Sequence, residues 1–167
     1  MSPLAIAVLT ISDSRTPAND TSGDLLVERL TGNGHLLASR DLVPDNVYQI
    51  RATVSNWIAD DTTDVVLATG GTGFTGRDST PEALLPLFDK TIEGFGELFR
   101  QISYGEIGSS TIQSRALAGL ANATLIFAVP GSTNACATAW DRILQNQLDS
   151  TFKPCNFAEL ISRFNES

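Results

Sequence analysis

The chain has 167 residues, 42% of them hydrophobic and 18% charged, and 19 Asp and Glu outweigh 11 Lys and Arg to give a formal net charge of −8. That composition is globular rather than disordered, and the length suits a single domain over residues 1–167 that buries its core without disulfides or a structural metal. The acidic balance argues against a duplex nucleic acid or an anionic membrane surface as partner, and an anionic ligand would need its positive field from backbone N–H groups or a metal ion.

Leu4–Ile11 is a nearly continuous apolar run ending in Ser12-Asp13-Ser14, the pattern of a parallel strand buried on both faces and followed by a polar loop. It is too short to span a bilayer. No basic segment precedes it and no small-residue cleavage site follows, so the expected compartment is the cytoplasm. Thr21–Leu30 spaces Leu25, Leu26 and Leu30 as a helix that stops at Gly32-Asn33-Gly34. The single histidine, His35, is expected at the surface end of the next strand, Leu36–Val43, and one histidine excludes a zinc centre built from several.

Asp45 then precedes Val47, Ile50, Val54, Trp57 and Ile58, an amphipathic spacing that puts Asp45 at or near the helix N-cap. Asp64–Thr69 is a third strand and runs directly into glycines. Thr80-Pro81 reads as a capping hydroxyl followed by proline at the first helical position. Phe95, Leu98, Phe99 and Ile102 form one helical stripe, more apolar surface than one small sheet needs, which points to contact between subunits. Ala123–Val129 is another strand ending in Pro130-Gly131-Ser132. Thr133–Leu148 is a helix with Cys136, Trp140, Ile143 and Leu144 facing inward, and Phe157, Leu160, Ile161 and Phe164 repeat at helical spacing in the tail. Cys136 and Cys155 lack metal-ligand spacing and read as reduced structural thiols.

Strands alternating with helices predict a three-layer α/β/α sandwich around a mostly parallel sheet. Ligands in such folds sit beyond the C-terminal strand ends, where Ser12–Arg15, Thr69–Asp78 and Pro130–Thr133 fall.

The densest signal is Thr69-Gly70-Gly71-Thr72-Gly73-Phe74-Thr75-Gly76-Arg77-Asp78. Glycines there let the backbone take φ > 0 and approach a ligand closely. Successive N–H groups and a following helix start form an anion site without a lysine. Gly71, Gly73 and Gly76 match the dinucleotide fingerprint in spacing but follow the third strand rather than the first. The Gly-Lys-Ser/Thr ending of a Walker A loop is absent. The alternative is a glycine turn that merely closes a strand–helix connection.

Along nearly its whole length the chain resembles the MoaB/Mog family of molybdenum cofactor biosynthesis proteins, related to the G domain of gephyrin. The resemblance rests on Thr10–Arg15, Val43-Pro44-Asp45, the Thr69–Gly73 loop, Arg77–Glu82, Glu93–Glu97, Gln113-Ser114-Arg115 and Pro130-Gly131-Ser132. The MoaB branch looks closer than the Mog branch, from Ser110–Arg115, Pro130–Thr133 and the brief tail. Asn46 departs from relatives that carry a second acidic residue there.

The resemblance implies binding of molybdopterin and transfer of AMP from ATP to its phosphate with Mg²⁺. Thr69, Gly70, Gly71, Thr72 and Gly73 would hold a ligand phosphate, Asp45 and Asp78 would be the acidic pair for catalysis and metal binding, and Ser114 would lie near the pterin. Asp13 lies on a matching loop. Arg15, Arg77 and Arg115 are candidates for positive charge opposite the phosphates. Other proteins of the same pathway are implied as partners, with assembly as a homotrimer or hexamer. A protein of the same pathway that binds or scaffolds the pterin without turnover is the competing function. By themselves the residues leave plainer roles open: Asp45 as a helix cap, Asp78 as a turn residue and Ser114 as an ordinary serine.

Overall fold

A computed structural model of the chain describes residues 2–166. Six strands form one sheet in the order β2-β1-β3-β6-β5-β4. They are β1 (Ala5–Ile11), β2 (Leu36–Val43), β3 (Val65–Thr69), β4 (Lys90–Thr91), β5 (Leu117–Ala121) and β6 (Thr124–Val129). The four strands from β2 to β6 are parallel, while β5 and β4 run antiparallel at the edge. The expected mostly parallel three-layer sandwich is thus the observed fold. Strands β4 and β5 were not expected from the sequence, because they are short and carry no periodicity of their own.

Alternate residues of each central strand feed two cores. Ile6, Val8, Val65, Leu67, Leu125 and Phe127 pack beneath α1 (Thr21–Gly32), α4 (Glu93–Ile107) and α5 (Thr133–Ala139). Ala7, Leu9, Val66, Ala68, Ile126 and Ala128 pack beneath α2 (Val47–Ala59) and α3 (Thr80–Leu84). A strand buried on both faces cannot show hydrophobic–polar alternation, which is why these segments read as continuous apolar runs. Each fully buried Ile, Val, Leu or Phe contributes about 1.5–3 kcal/mol of burial free energy.

Several local expectations need correction. The N-cap of α2 is Asn46, whose side chain accepts from the N–H groups of Tyr48 and Gln49 at 3.0 and 3.1 Å. Asp45 is left for another task. Ser79, not Thr80, occupies the N-cap position of α3, and the Thr80 hydroxyl instead donates back to Gly70 O at 2.7 Å. His35 is buried, with Nδ1 accepting from Leu4 N–H at 3.2 Å. Phe95 and Phe99 are also buried and close the core against β6, so of the stripe Phe95, Leu98, Phe99 and Ile102 only Leu98 is exposed. After α5 the helix widens into a π-turn, Trp140–Leu144. The tail packs Phe157, Ile161 and Phe164 against the core through turns and a single 3₁₀ segment, Ile161–Arg163, rather than a regular helix. Among the described residues no helix is long and apolar enough to cross a membrane.

Candidate functional site

A pocket of about 430 Å³ opens at the C-terminal ends of β1, β3 and β6. The three loops singled out in the sequence converge there: Ser12 and Arg15 from the first, Thr69–Gly73 and Asp78 from the second, Pro130 and Gly131 from the third. The opposite wall comes from the end of α4 and the 3₁₀ segment Gly108–Gln113, through Ile107, Ser110, Gln113 and Ser114. Sequence reasoning did not single out Ile107 for the site, because nothing in its spacing separates a wall residue from a helix end.

The floor is the glycine loop. Gly70 and Gly71 have φ of +105° and +65°, the left-handed region where a side chain is strained. A Cβ on Gly70 would lie 2.1 Å from Ile11 O. One on Gly71 would lie 2.4 Å from the Thr80 hydroxyl and 2.6 Å from Asp45 Oδ2. Gly76 differs: no atom lies within 4 Å of a Cβ there.

Four successive carbonyls of this loop are tied to donors of the protein itself. Gly70 O accepts from the Thr80 hydroxyl, and Gly71 O from Thr80 N–H at 3.0 Å. Thr72 O accepts from Arg115 N–H at 3.0 Å, and Gly73 O from Arg115 Nε at 2.7 Å. Gly70 N–H is used by Val129 O at 3.0 Å, but the N–H groups of Gly71, Thr72 and Phe74 have no acceptor among the described residues. A loop with satisfied carbonyls and free amides presents positive partial charge, as an anion-binding nest does.

The acidic residues surround this loop in distinct ways. Asp78 lines the pocket and accepts from the N–H and hydroxyl of Thr75 at 2.8 and 2.7 Å. The Thr75 hydroxyl, together with the Thr75 and Gly73 N–H groups and the Arg115 charge, holds the Asp78 carboxyl below the ordinary range despite partial desolvation. Asp45 lies behind Gly71. Its Oδ1 accepts from the N–H and hydroxyl of Ser79, while Oδ2 approaches the glycine and has no donor among the described residues. Asp13 accepts from Asp45 N–H and takes both arms of Arg77 at 2.8 Å each. Arg77 lowers the Asp13 carboxyl accordingly.

Of the three arginines expected opposite the phosphates, only Arg15 lines the pocket, held by the Thr21 hydroxyl at 2.8 Å. Arg77 is occupied by Asp13. Arg115 pairs with Glu82 behind the loop. Beneath the floor, Thr69 donates to Pro130 O at 2.9 Å and contacts the buried Cys136 sulfur, whose thiol burial pushes up to about 11. Ser114 lies on the pocket wall. No group of three or more His, Cys, Asp or Glu that could hold a metal by itself occurs among the described residues.

Residues 7–150 match the family described as a probable molybdopterin binding domain. The chain is 57% identical over 155 residues to Molybdenum cofactor biosynthesis protein B of Escherichia coli K12, covering 93% of this chain and 91% of that one. A crystal structure of a Molybdenum cofactor biosynthesis protein B superposes with a TM-score of 0.85 at 43% identity, covering 88% of this chain and 92% of the other. The tungsten cofactor synthesizing protein MoaB from Pyrococcus furiosus superposes with a TM-score of 0.78 at 35% identity, covering 87% and 93%.

Proposed function

The chain belongs to the MoaB/Mog family of molybdenum cofactor biosynthesis proteins, and from that premise we propose that it holds molybdopterin by its terminal phosphate at Thr69–Gly73 and transfers AMP to that phosphate from MgATP. The observation that carries this function is the loop whose carbonyls from Gly70 to Gly73 are all satisfied behind it while its amides stay free at the pocket floor. An oxygen of the pterin phosphate forms a bond to the α-phosphorus of ATP. The bond from that phosphorus to its bridging oxygen breaks, and pyrophosphate leaves with the electron pair.

The obstacle is repulsion. Two unit charges brought to about 4 Å cost roughly 4 kcal/mol at an effective dielectric near 20, and a phosphate approaching ATP meets more charge than that. The free amides and Arg15 offset part of it. Mg²⁺ is held by one or two carboxylates plus substrate phosphates, and the residues present fit that demand. Asp78 stands in the pocket and Asp45 keeps Oδ2 free behind Gly71. When bound, the ion would neutralise the leaving phosphates. Ser114 orients the pterin from the facing wall.

In this role the protein works in the cytoplasm and hands its product to another protein of the pathway, without a nucleic-acid or membrane partner. Exposed Phe74, Leu85 and Ile112, which line a second depression with Glu82 and Arg115, support assembly of copies into a trimer or a pair of trimers. A second function, pterin binding or scaffolding without turnover, is favoured by Asp45, which lies outside the pocket lining and engages Ser79. Incubation with molybdopterin and MgATP, followed by mass measurement, separates the two. An AMP adduct that Asp78→Asn abolishes supports transfer, and tight pterin binding without adduct supports the second function.

A further inference from the structure

Arg115 is bonded to three carbonyls around the glycine loop, yet it does not line the pocket. Its N–H reaches Thr72 O at 3.0 Å, Nε reaches Gly73 O at 2.7 Å, and Nη2 reaches Asp78 O at 3.2 Å. Nη1 pairs with Glu82, and the guanidinium carbon sits 5.1 Å from the centre of the Phe74 ring. Pinning a carbonyl fixes the whole peptide plane. In a trans peptide the next residue's N–H points the opposite way. The three pinned carbonyls therefore aim the N–H groups of Gly73, Phe74 and Ser79.

Those three amides are the ones that matter to the site. Gly73 N–H helps hold the Asp78 carboxylate, Ser79 N–H donates to Asp45 Oδ1 at 3.1 Å, and Phe74 N–H is free. We propose that Arg115 is a positioning residue: from behind the loop it sets the amides that orient Asp78 and Asp45 and completes the phosphate cradle, while Glu82 neutralises its own charge. The inference rests on the phosphate-binding role proposed above. It assigns Arg115 a geometric task in place of the direct phosphate contact expected from the sequence. The fork is essential to that task, because it reaches Gly73 O and Asp78 O while still pairing with Glu82, and an ammonium is a single point that cannot span them.

Titration of pyrophosphate into isotopically labelled protein, followed by amide resonances, tests this. In the wild type, resonances of Gly71–Phe74 should shift on binding. In both Arg115→Lys and Arg115→Gln, affinity should fall at least tenfold, and the free-state resonances of Phe74 and Ser79, whose preceding carbonyls the guanidinium holds, should move while those of β1 and β3 stay. Phe74→Leu, which removes the exposed ring beneath the guanidinium, should weaken binding two- to threefold and keeps the test open if an Arg115 variant does not fold. Binding by Arg115→Lys within twofold of wild type, or unmoved Phe74 and Ser79 resonances in the Arg115 variants, or unchanged binding by Phe74→Leu, would overturn the inference. Failure of pyrophosphate to move any wild-type loop amide would instead overturn the phosphate cradle itself.

Discussion

Asp45 and Ser79, 34 residues apart, are joined twice: Asp45 Oδ1 accepts from the Ser79 hydroxyl at 2.6 Å and from its N–H at 3.1 Å. The pair links the loop after β2 to the start of α3 and fixes the far end of the glycine loop. Asp45→Asn keeps the shape but removes a charge, so AMP transfer should fall at least a hundredfold while molybdopterin still binds. Asp45→Ala also strands the Ser79 N–H and should cost about 1–3 kcal/mol of stability. Adduct mass and urea unfolding measure the two effects separately.

The glycines are not equivalent. Gly70→Ala forces a Cβ into a left-handed conformation 2.1 Å from Ile11 O, and should destabilise by more than about 2 kcal/mol. Gly76→Ala, with nothing within 4 Å, should change stability by less than about 0.5 kcal/mol. Denaturant midpoints at constant slope compare them.

Asn46 caps α2 through two hydrogen bonds. Asn46→Ala should cost about 1 kcal/mol, and Asn46→Asp should be neutral, since both side chains cap well. Chemical unfolding reads this directly. Asn46→Asp would thus test a second acid beside Asp45 without disturbing the helix.

Burial lowers the His35 pKa, so the folded state binds its proton less readily than the unfolded one. The stability it contributes is complete above the unfolded value near 6.5 and is lost as pH falls through the lower folded value. Unfolding free energy should therefore decline from pH 7 to pH 5, and His35→Gln should flatten that decline. An unchanged slope in the variant would assign the decline to other groups.

Cys136 is buried with its thiol pushed up to about 11, whereas Cys155 is exposed. Iodoacetamide at pH 8 should add one group to the native protein, and peptide mass should place it on Cys155. Modification of Cys136 would show that the pocket floor opens.

The central strands and the pocket loops were legible in the sequence because double burial leaves long apolar runs that end abruptly in polar, glycine-rich turns. The family resemblance added what spacing cannot supply, the expectation that Asp45, Asp78 and Ser114 act at one site, and of these Asp78 and Ser114 line the pocket while Asp45 stands behind Gly71. What stayed hidden was decided by contacts distant in the chain. Asn46 and Asp45 are both good caps, and only the nearness of Ser79 assigns each its task. Thr80 resembles a capping hydroxyl until Gly70 O is brought beneath it. Arg115 reads as a phosphate ligand, but Glu82 and the carbonyls of Gly73 and Asp78 reach its guanidinium first. His35 reads as a strand-end polar residue because its acceptor role toward Leu4 N–H is invisible at sequence level.

The most direct test is a crystal structure of the protein with molybdopterin bound. The phosphate should lie within hydrogen-bonding distance of the amides of Gly71–Phe74, with the pterin against Ser114. A phosphate bound at another surface, with the glycine loop empty, would contradict the account.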